Sequence, residues 1–157
     1  MAGYSQSEED YLETLYVIEQ SDKIIRVKDV AQALNVTMPS VVAAIRSLSE
    51  KGLVEQEKYG HIELTKKGKQ VGKDVYKRHR LLYAFFHEVL GLDPKIAETD
   101  ACQMEHHLSP QTQERLLRIV EYTRACKKDE MYFLKRFMHF VNTGEIPDPC
   151  AGCAKIN

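Results

Sequence analysis

The clearest structural signal in the sequence is VKDVAQALNVTMPSVVAAIRSLSEKGLV, residues 27–54. Its first part has apolar residues at helical spacing, and Asn35 breaks that pattern. A second helical pattern begins at Thr37, a residue type that caps helix N-termini, with Pro39 in the first turn. Two helices joined by so short a turn predict a helix-turn-helix. The residues predicted to form its apolar faces are Val30, Ala31, Leu34, Val41, Val42, Ile45 and Leu48.

The segment that follows, LVEQEKYGHIELT at residues 53–65, alternates apolar and polar side chains around Tyr59-Gly60. This alternation predicts a two-stranded hairpin that turns at those two residues. A helix-turn-helix followed by a hairpin is a winged helix. Winged helices occur both in DNA-binding proteins and in protein–protein modules, so the pattern leaves both functions open.

Helical patterns surround the predicted winged helix on both sides. Residues 5–20 form a first helix capped by Ser5 or Ser7, and a long helix runs from Thr65 to Gly91. Further helices are predicted to begin at Asp93-Pro94, at Ser109-Pro110 and at Asp129. We therefore expect a mainly α protein with an N-terminal winged helix-turn-helix domain (1–70), followed by an all-helical domain (71–141) and a tail (142–157).

The composition excludes some classes of protein and points to a partner. The longest apolar runs in this chain of 157 residues are short, such as LLYAFF at 81–86, so we expect no membrane span. The N-terminus MAGYSQSEED lacks the features of a secretory signal, which predicts a cytoplasmic protein. Residues 61–80 hold seven Lys or Arg against two acids, although the net charge is −1. This basic stripe is either a nucleic-acid-binding surface or a solvated helix face.

The sequence CQMEHHL, residues 102–108, concentrates side chains that bind metals. Cys102, Glu105 and His106 have the spacing that would bring them together on one face of a helix. Such sets are a way for a helix to offer several ligands to a transition metal. The alternative is a packed cysteine beside a solvated polar face.

Three ligands do not complete a site, and two other segments offer more. Asp10 and Glu13 are spaced to share a face of the first helix, and His79 lies where the long helix turns from basic to apolar. The two acids could also serve only the helix dipole. From the residues alone, nothing shows that the three segments meet.

The order of these motifs resembles a known family. A helix with D-Y-x-E-x-L-Y, then R-H-x-L-L, then E-H-H-L-S is similar to the diphtheria toxin repressor and manganese transport regulator family of metal-dependent transcription factors. The resemblance covers residues 8 to about 140 and implies a short form without the small β-barrel (SH3-like) domain of longer relatives. It also implies that the metal ligands are Asp10, Glu13, His79, Cys102, Glu105 and His106.

The resemblance is to a hybrid of two branches of that family. The manganese-responsive branch has a carboxylate at the position of Cys102, whereas the iron-responsive branch has a cysteine there and a methionine at the position of Asp10. A thiolate favours softer, later metals, so we expect Fe(II) first and Mn(II) as a close alternative, with Zn(II) or Co(II) able to bind in vitro. Two carboxylates on the first helix could support a two-metal cluster. The resemblance also implies an ancillary site of the iron-responsive branch, built partly on His79, with Tyr83 and Glu98 at two of its other ligand positions.

The resemblance implies a repressor of metal uptake genes that uses the metal as a corepressor. A cation would neutralise the clustered acids and clamp the first helix, so that two winged helices of a homodimer fit a palindromic operator in double-stranded DNA. We expect dimerisation through the apolar faces of LLYAFFHEVL, residues 81–90, and the following helices. The residues predicted to contact DNA are Thr37, Pro39, Ser40, Ala43 and Arg46 on the recognition helix and Lys58 and Tyr59 on the wing.

The C-terminal PDPCAGCAKIN contains a second pair of thiols, Cys150 and Cys153. A single C-x-x-C is half of a zinc site, a redox pair, part of a cluster site, or two exposed thiols in a tail. Two other functions for the whole chain also remain open at this point. One is a metalloenzyme in which Glu beside the ligands activates metal-bound water, and the other is a metal-independent winged-helix adaptor.

Overall fold

A computed structural model describes residues 4–56, 61–125 and 132–146, except for the side chains of Gln56 and Tyr132. The chain divides into two compact units, residues 1–80 with 102–108, and residues 81–101 with 109–157. The helices are α1 (Gln6–Gln20), α2 (Val27–Ala33), α3 (Met38–Glu50), α4 (Lys66–Ala84), α5 (Pro94–Met104), α6 (Pro110–Ala125) and α7 (Tyr132–Thr143), and the strands are β1 (Val54–Gln56) and β2 (Ile62–Leu64).

Helix α1 begins with a complete capping box. The Ser5 hydroxyl accepts a hydrogen bond from the Glu8 amide, and the Glu8 carboxylate accepts one from the Ser5 amide. One face of the helix is buried in the core of the first unit through Tyr11, Leu12 and Leu15. The acids of α1 therefore lie on the faces that the core leaves free.

The helix-turn-helix and the wing form as predicted. Thr37 caps α3 through its hydroxyl, which accepts from the Ser40 amide, and Asn35 makes the turn with a φ of 52°. The strands pair antiparallel with Val54 opposite Leu64, and Ile25 adds an isolated bridge to Ile62. The predicted winged helix in a mainly helical chain is therefore confirmed.

The interior of the winged helix separates two neighbouring valines. Val41 is fully buried, whereas Val42 is 51% exposed on the outer face of α3. Both were predicted to lie on the apolar face, with the alternative that one of the two faces DNA, and the rotation of α3 against its core buries Val41 and exposes Val42. Val42 is therefore free to meet a partner of the recognition helix.

Helix α4 passes very close to α1. A Cβ atom at Gly72 would clash with the carbonyl oxygen of Leu12 and lie 3.0 Å from the Cβ of Tyr16. Only glycine permits this approach. The close contact sets α4 against α1 about two helical turns before His79, which is buried.

Two predicted helices end earlier than expected. The long helix is α-helical only to Ala84 and continues as a π-helical turn, Phe85–Val89, before Gly91 at a φ of 70°. Phe86 and Val89 of this π turn are both buried. Helix α5 ends at Met104, and residues 105–107 form a turn in which the His107 amide donates to the Met104 carbonyl.

The second unit has its own apolar core. Ala84, Val89 and Val120 are buried there, and Arg124 donates two hydrogen bonds to the Glu88 carboxylate. Several large apolar side chains of α6 and α7 are exposed, namely Leu117, Tyr122, Phe133, Phe140 and Val141. In the ranges that the structure describes, no helix combines the length and the apolar character needed to cross a bilayer.

Candidate metal centre

The first unit brings donor groups from three segments together. Asp10 and Glu13 come from α1, His79 comes from α4, and Glu105 and His106 come from the turn after α5. Two groups of three residues have donor atoms within 4.8 Å of one another: Asp10 with Glu105 and His106, and Glu13 with His79 and Glu105. The three segments that the sequence left unconnected therefore meet.

Glu105 is the residue that the two groups share. Its side chain is completely buried, and its Oε2 atom lies 2.9 Å from Nδ1 of His79. Its other oxygen, Oε1, lies 3.2 Å from Nε2 of His106 and has no hydrogen-bond partner. Each oxygen of this one carboxylate therefore faces a different histidine.

The side chain of His106 is buried, and only one of its two ring nitrogens makes a hydrogen bond. Its Nδ1 lies 2.7 Å from Oε2 of Glu9. Its Nε2 lies 2.8 Å from Oδ1 of Asp10 and 3.2 Å from Oε1 of Glu105, yet neither contact has the geometry of a hydrogen bond. A buried nitrogen without a hydrogen bond, set between two carboxylate oxygens, is an unfavourable arrangement unless a cation joins them.

Two acids of this cluster, Asp10 and Glu13, resist ionisation. Burial, together with the negative charge of Glu105, raises the pKa of Glu13 from 4.5 to about 7. Burial also raises the pKa of Asp10, although nearby His106 works in the opposite direction. Carboxylates crowded in a partly desolvated pocket favour either protons or a metal ion.

The donor set fits a divalent metal. Three carboxylates and two imidazoles are ligands that first-row transition metals accept, and two of their atoms are buried without hydrogen-bond partners. Glu105 presents its two oxygens to separate histidines and is the residue that both donor groups share.

The expected arrangement of the CQMEHHL segment requires a correction. We expected Cys102, Glu105 and His106 on one face of a helix, but α5 ends at Met104 and the last two residues lie in the turn that follows. The turn directs Glu105 and His106 inward, whereas Cys102 is exposed and belongs to neither donor group. Pro110, which opens the next helix, disfavours a helical conformation at Ser109 only and therefore does not set the end of α5 at Met104.

The residues expected at an ancillary site both lie in the second unit. Tyr83 is partly buried, with its ring 5.5 Å from that of His87, and Glu98 is exposed on α5. Neither belongs to a donor group among the residues that the structure describes.

The recognition helix presents a small, mixed polar and apolar surface. Thr37, Pro39, Ser40 and Ala43 are exposed, and Arg46 is exposed with its guanidinium 3.3 Å from the Glu50 carboxylate. These are the predicted DNA-contacting residues of α3. Four other predicted residues, Lys58, Tyr59, Cys150 and Cys153, lie outside the described residues.

Two residues that adjoin the donor groups were not predicted from the sequence. Glu9 accepts hydrogen bonds from Nη2 of Arg78, 2.6 Å away, and from His106. Glu9 was not among the candidate residues, and Arg78 was one cation of the basic stripe. A signal was nevertheless present, since Glu9 precedes Asp10 and Arg78 precedes His79.

Comparisons with known proteins agree with this geometry. Residues 4–62 match the family model described as iron dependent repressor, N-terminal DNA binding domain. Residues 65–132 match the model described as iron dependent repressor, metal binding and dimerisation domain. The first model spans the winged helix, and the second spans His79, Glu105 and His106.

Individual proteins show the same likeness. The HTH-type transcriptional regulator MntR of Bacillus subtilis is 35% identical over 136 residues, which are 85% of this chain and 95% of that protein. An uncharacterised HTH-type transcriptional regulator of Methanocaldococcus jannaschii is 39% identical over 113 residues, covering 71% of this chain and 90% of that protein.

A solved structure gives the same result. It is a manganese-dependent transcriptional repressor in complex with manganese, with a TM-score of 0.68 and 27% identity over 73% of this chain. The chain spans about half of that protein, 53% of its length. The family is one of transcriptional regulators, so the metalloenzyme alternative is wrong. The chain belongs to the diphtheria toxin repressor and manganese transport regulator family of iron-dependent repressors, which are metal-dependent DNA-binding transcriptional regulators.

Proposed function

We propose that this chain is a cytoplasmic, homodimeric repressor of metal uptake genes, with Fe(II) or Mn(II) as its corepressor. The observation that carries the proposal is the pair of buried atoms without hydrogen-bond partners, Glu105 Oε1 and His106 Nε2, beside the Asp10 carboxylate. These atoms belong to the same compact unit as the winged helix. A metal-binding state and a DNA-binding surface are thus built on shared elements.

Five residues form the core of the proposed site. Asp10, Glu105 and His106 would hold one cation, and Glu13, His79 and Glu105 a second. The shared carboxylate favours a binuclear site over a mononuclear one. Cys102 is our proposed additional ligand, on the resemblance alone, since it is exposed and outside both groups. Tyr83 and Glu98 remain candidates for an ancillary site on the same basis.

Cys102 also carries the choice between iron and manganese. Carboxylates and imidazoles serve both Fe(II) and Mn(II), whereas a thiolate favours the later metal. The proposed preference for Fe(II) therefore depends on whether the Cys102 thiolate joins the five buried or partly buried ligands.

Helix α1 links the site to the DNA-binding head. Its apolar face, with Leu12 and Leu15, lies in the winged-helix core. Val41 and Ile45 of the recognition helix α3 belong to the same core. Its acidic face supplies Asp10 and Glu13 to the site. A bound divalent cation supplies positive charge that balances these acids. Without that charge, repulsion between Glu13 and Glu105 favours displacement of α1 and, with it, disorder of the head.

The exposed face of α3 is the proposed reader of DNA. Ser40 and Arg46 would bond phosphates or base edges, and the small side chain of Ala43 would permit close approach. Exposed Val42 adds an apolar contact suited to a thymine methyl group. Two such heads in a homodimer would recognise a palindromic operator.

The test is a DNA-binding titration at fixed salt. A duplex selected from a random pool in the presence of Mn(II) is titrated with protein at a series of Mn(II) concentrations or, without oxygen, of Fe(II) concentrations, always at the same salt concentration. We expect at least about tenfold tighter binding with metal, a coupling of roughly 1.4 kcal/mol. Equal affinity with and without either metal would favour the metal-independent adaptor instead.

A further inference from the structure

One carboxylate oxygen next to the metal centre has two partners. Oε2 of Glu9 lies 2.6 Å from Nη2 of Arg78 and 2.7 Å from Nδ1 of His106. The three side chains are largely buried, with exposures of 18%, 20% and 4% for Glu9, Arg78 and His106. They come from α1, from α4 and from the turn after α5. We refer to these three residues as the Arg78–Glu9–His106 chain.

This contact dictates which nitrogen of His106 carries hydrogen. A carboxylate held by a guanidinium only accepts hydrogen bonds, so the contact with Glu9 requires Nδ1 to donate. In the neutral ring, Nε2 then has a free lone pair. That lone pair belongs to the atom that lies 2.8 Å from Asp10 Oδ1 and makes no hydrogen bond. Nε2 is thus the nitrogen of His106 that the contact with Glu9 leaves available, and it lies between Asp10 Oδ1 and Glu105 Oε1.

We propose that Glu9, held by Arg78, is the positioning residue of the metal centre. It fixes the ring orientation and the tautomer of His106 and belongs to neither donor group itself. This inference rests on the proposed function of the site.

Two consecutive acids of α1 thus have different roles. Asp10 faces Nε2 of His106 and Glu9 faces Nδ1, so the two carboxylates contact opposite sides of one ring. The contact of Glu9 does not require metal. The Arg78–Glu9–His106 chain therefore orients the His106 ring in the metal-free protein, whereas the proposed role of Asp10 and Glu105 begins when the metal ion binds.

The test variant is Glu9→Gln, which keeps the size of the side chain and removes its charge. The matched control is Glu8→Gln, which removes the neighbouring acid with its capping bond and its ion pair to Lys51 but leaves His106 untouched. Two quantities are measured at constant pH: the Mn(II) dissociation constant, and the tautomer of His106 from ¹⁵N spectra of the metal-free protein.

The wild-type ring should show hydrogen on Nδ1, and Glu9→Gln should lose this preference because an amide can donate to Nδ1 as well as accept from it. Mn(II) affinity should fall roughly 10- to 100-fold in Glu9→Gln and stay within about twofold in Glu8→Gln. Arg78→Met should weaken binding as well, and the double variant should lose less than the sum of the two.

Separate outcomes overturn the inference and the proposed function. If wild type binds Mn(II) and Glu9→Gln binds it equally tightly, or keeps the same tautomer, the positioning role is overturned. If wild type binds no divalent metal, the proposed function itself is overturned. Should Glu9→Gln fail to fold, Arg78→Lys replaces it as the test variant, because lysine keeps the positive charge and loses the fork geometry of the guanidinium. If a folded Arg78→Lys alters the tautomer of His106 but binds Mn(II) as tightly as the wild type, that result also counts against the positioning role of Glu9.

Discussion

Replacing Glu13 with glutamine should stabilise the metal-free protein and weaken its response to metal. Burial and the charge of Glu105 raise the pKa of Glu13 from 4.5 to about 7. Between those two values the folded protein holds a proton that the unfolded chain has released. The free energy of unfolding therefore falls as pH rises towards 7, and the loss is complete above it. Glutamine, which carries no charge, removes this loss.

The size of the effect follows from the pKa of Glu13. A rise from 4.5 to about 7 corresponds to roughly 3 kcal/mol, since each pKa unit is worth about 1.4 kcal/mol. Glu13 is only partly buried, so solvent screening reduces this to roughly 1–2 kcal/mol. In a chain of this length, that stabilisation at pH 8 raises the melting temperature by about 2–8 °C. At pH 4.5 or below the variant and the wild type should differ little.

The assay is thermal unfolding at pH 5 and pH 8, with a chelator or with Mn(II) at about 100 times its dissociation constant. Metal at that concentration stabilises the wild type by roughly 2.7 kcal/mol. We expect the order of melting temperatures to reverse: Glu13→Gln melts above the wild type without metal at pH 8 and below it with metal. The control, Glu114→Gln on the exposed face of α6, should change neither. A metal-free Glu13→Gln that is no more stable than the wild type at pH 8 would refute the reasoning.

Three further predictions follow from other features of the site. Metal binding should release protons, so the affinity for Mn(II) should fall as pH drops below 7, where Glu13 is protonated; titration calorimetry in two buffers of different ionisation heat measures this, and no proton release would contradict it. Cys102→Ser should weaken Fe(II) binding about tenfold and Mn(II) binding less than threefold, and equal losses for both metals would argue against a thiolate ligand. Gly72→Ala should destabilise the fold by about 1–3 kcal/mol and weaken Mn(II) binding, because the new Cβ pushes Leu12 of α1 away from α4. Denaturant unfolding measures the stability and calorimetry the Mn(II) affinity, and no change in either would contradict the close packing of α1 on α4.

Much of the secondary structure could be predicted because helix caps are local. In four caps a side-chain hydroxyl accepts a hydrogen bond from the backbone amide three residues later, and the residues are Ser5, Thr37, Thr65 and Ser109. Such a cap can be recognised from a stretch of only four residues. The ends of helices were harder to predict. The turn at Glu105 depends on the burial of that side chain and not on any neighbouring breaker.

The donor groups could be nominated from the sequence but not assembled. His79 and Glu105 are 26 residues apart, and Glu9 and His106 are 97 apart, so only tertiary packing brings them together. The resemblance to a family supplied the expectation that these segments meet. The role of Glu9 could not be predicted, because it depends on the orientation of one imidazole ring, which spacing along the chain does not encode.

The winged helix shows the same limit at a single position. Val41 and Val42 are equivalent in composition, and only the rotation of α3 against its core makes one buried and the other exposed. Removing thymine methyl groups by deoxyuridine substitution should weaken binding of the selected duplex about fourfold per contacted methyl, since one buried methyl is worth roughly 0.8 kcal/mol. If Val42 makes the contact, the deoxyuridine substitution should not weaken DNA binding by the Val42→Ala variant. An equal loss of DNA affinity in the wild type and in Val42→Ala would exclude a contact between Val42 and the methyl group.

The central claim is that occupation of the five-residue centre controls DNA binding, and its most direct test is one comparison. Wild type and Glu105→Gln are titrated onto the same selected duplex at constant salt, first with chelator and then with saturating Mn(II) or Fe(II). Glu105→Gln retains the shape of the side chain and removes the carboxylate that both donor groups share. We predict that metal tightens wild-type binding at least about tenfold and leaves Glu105→Gln unchanged. A variant that responds to metal as fully as the wild type would contradict the account.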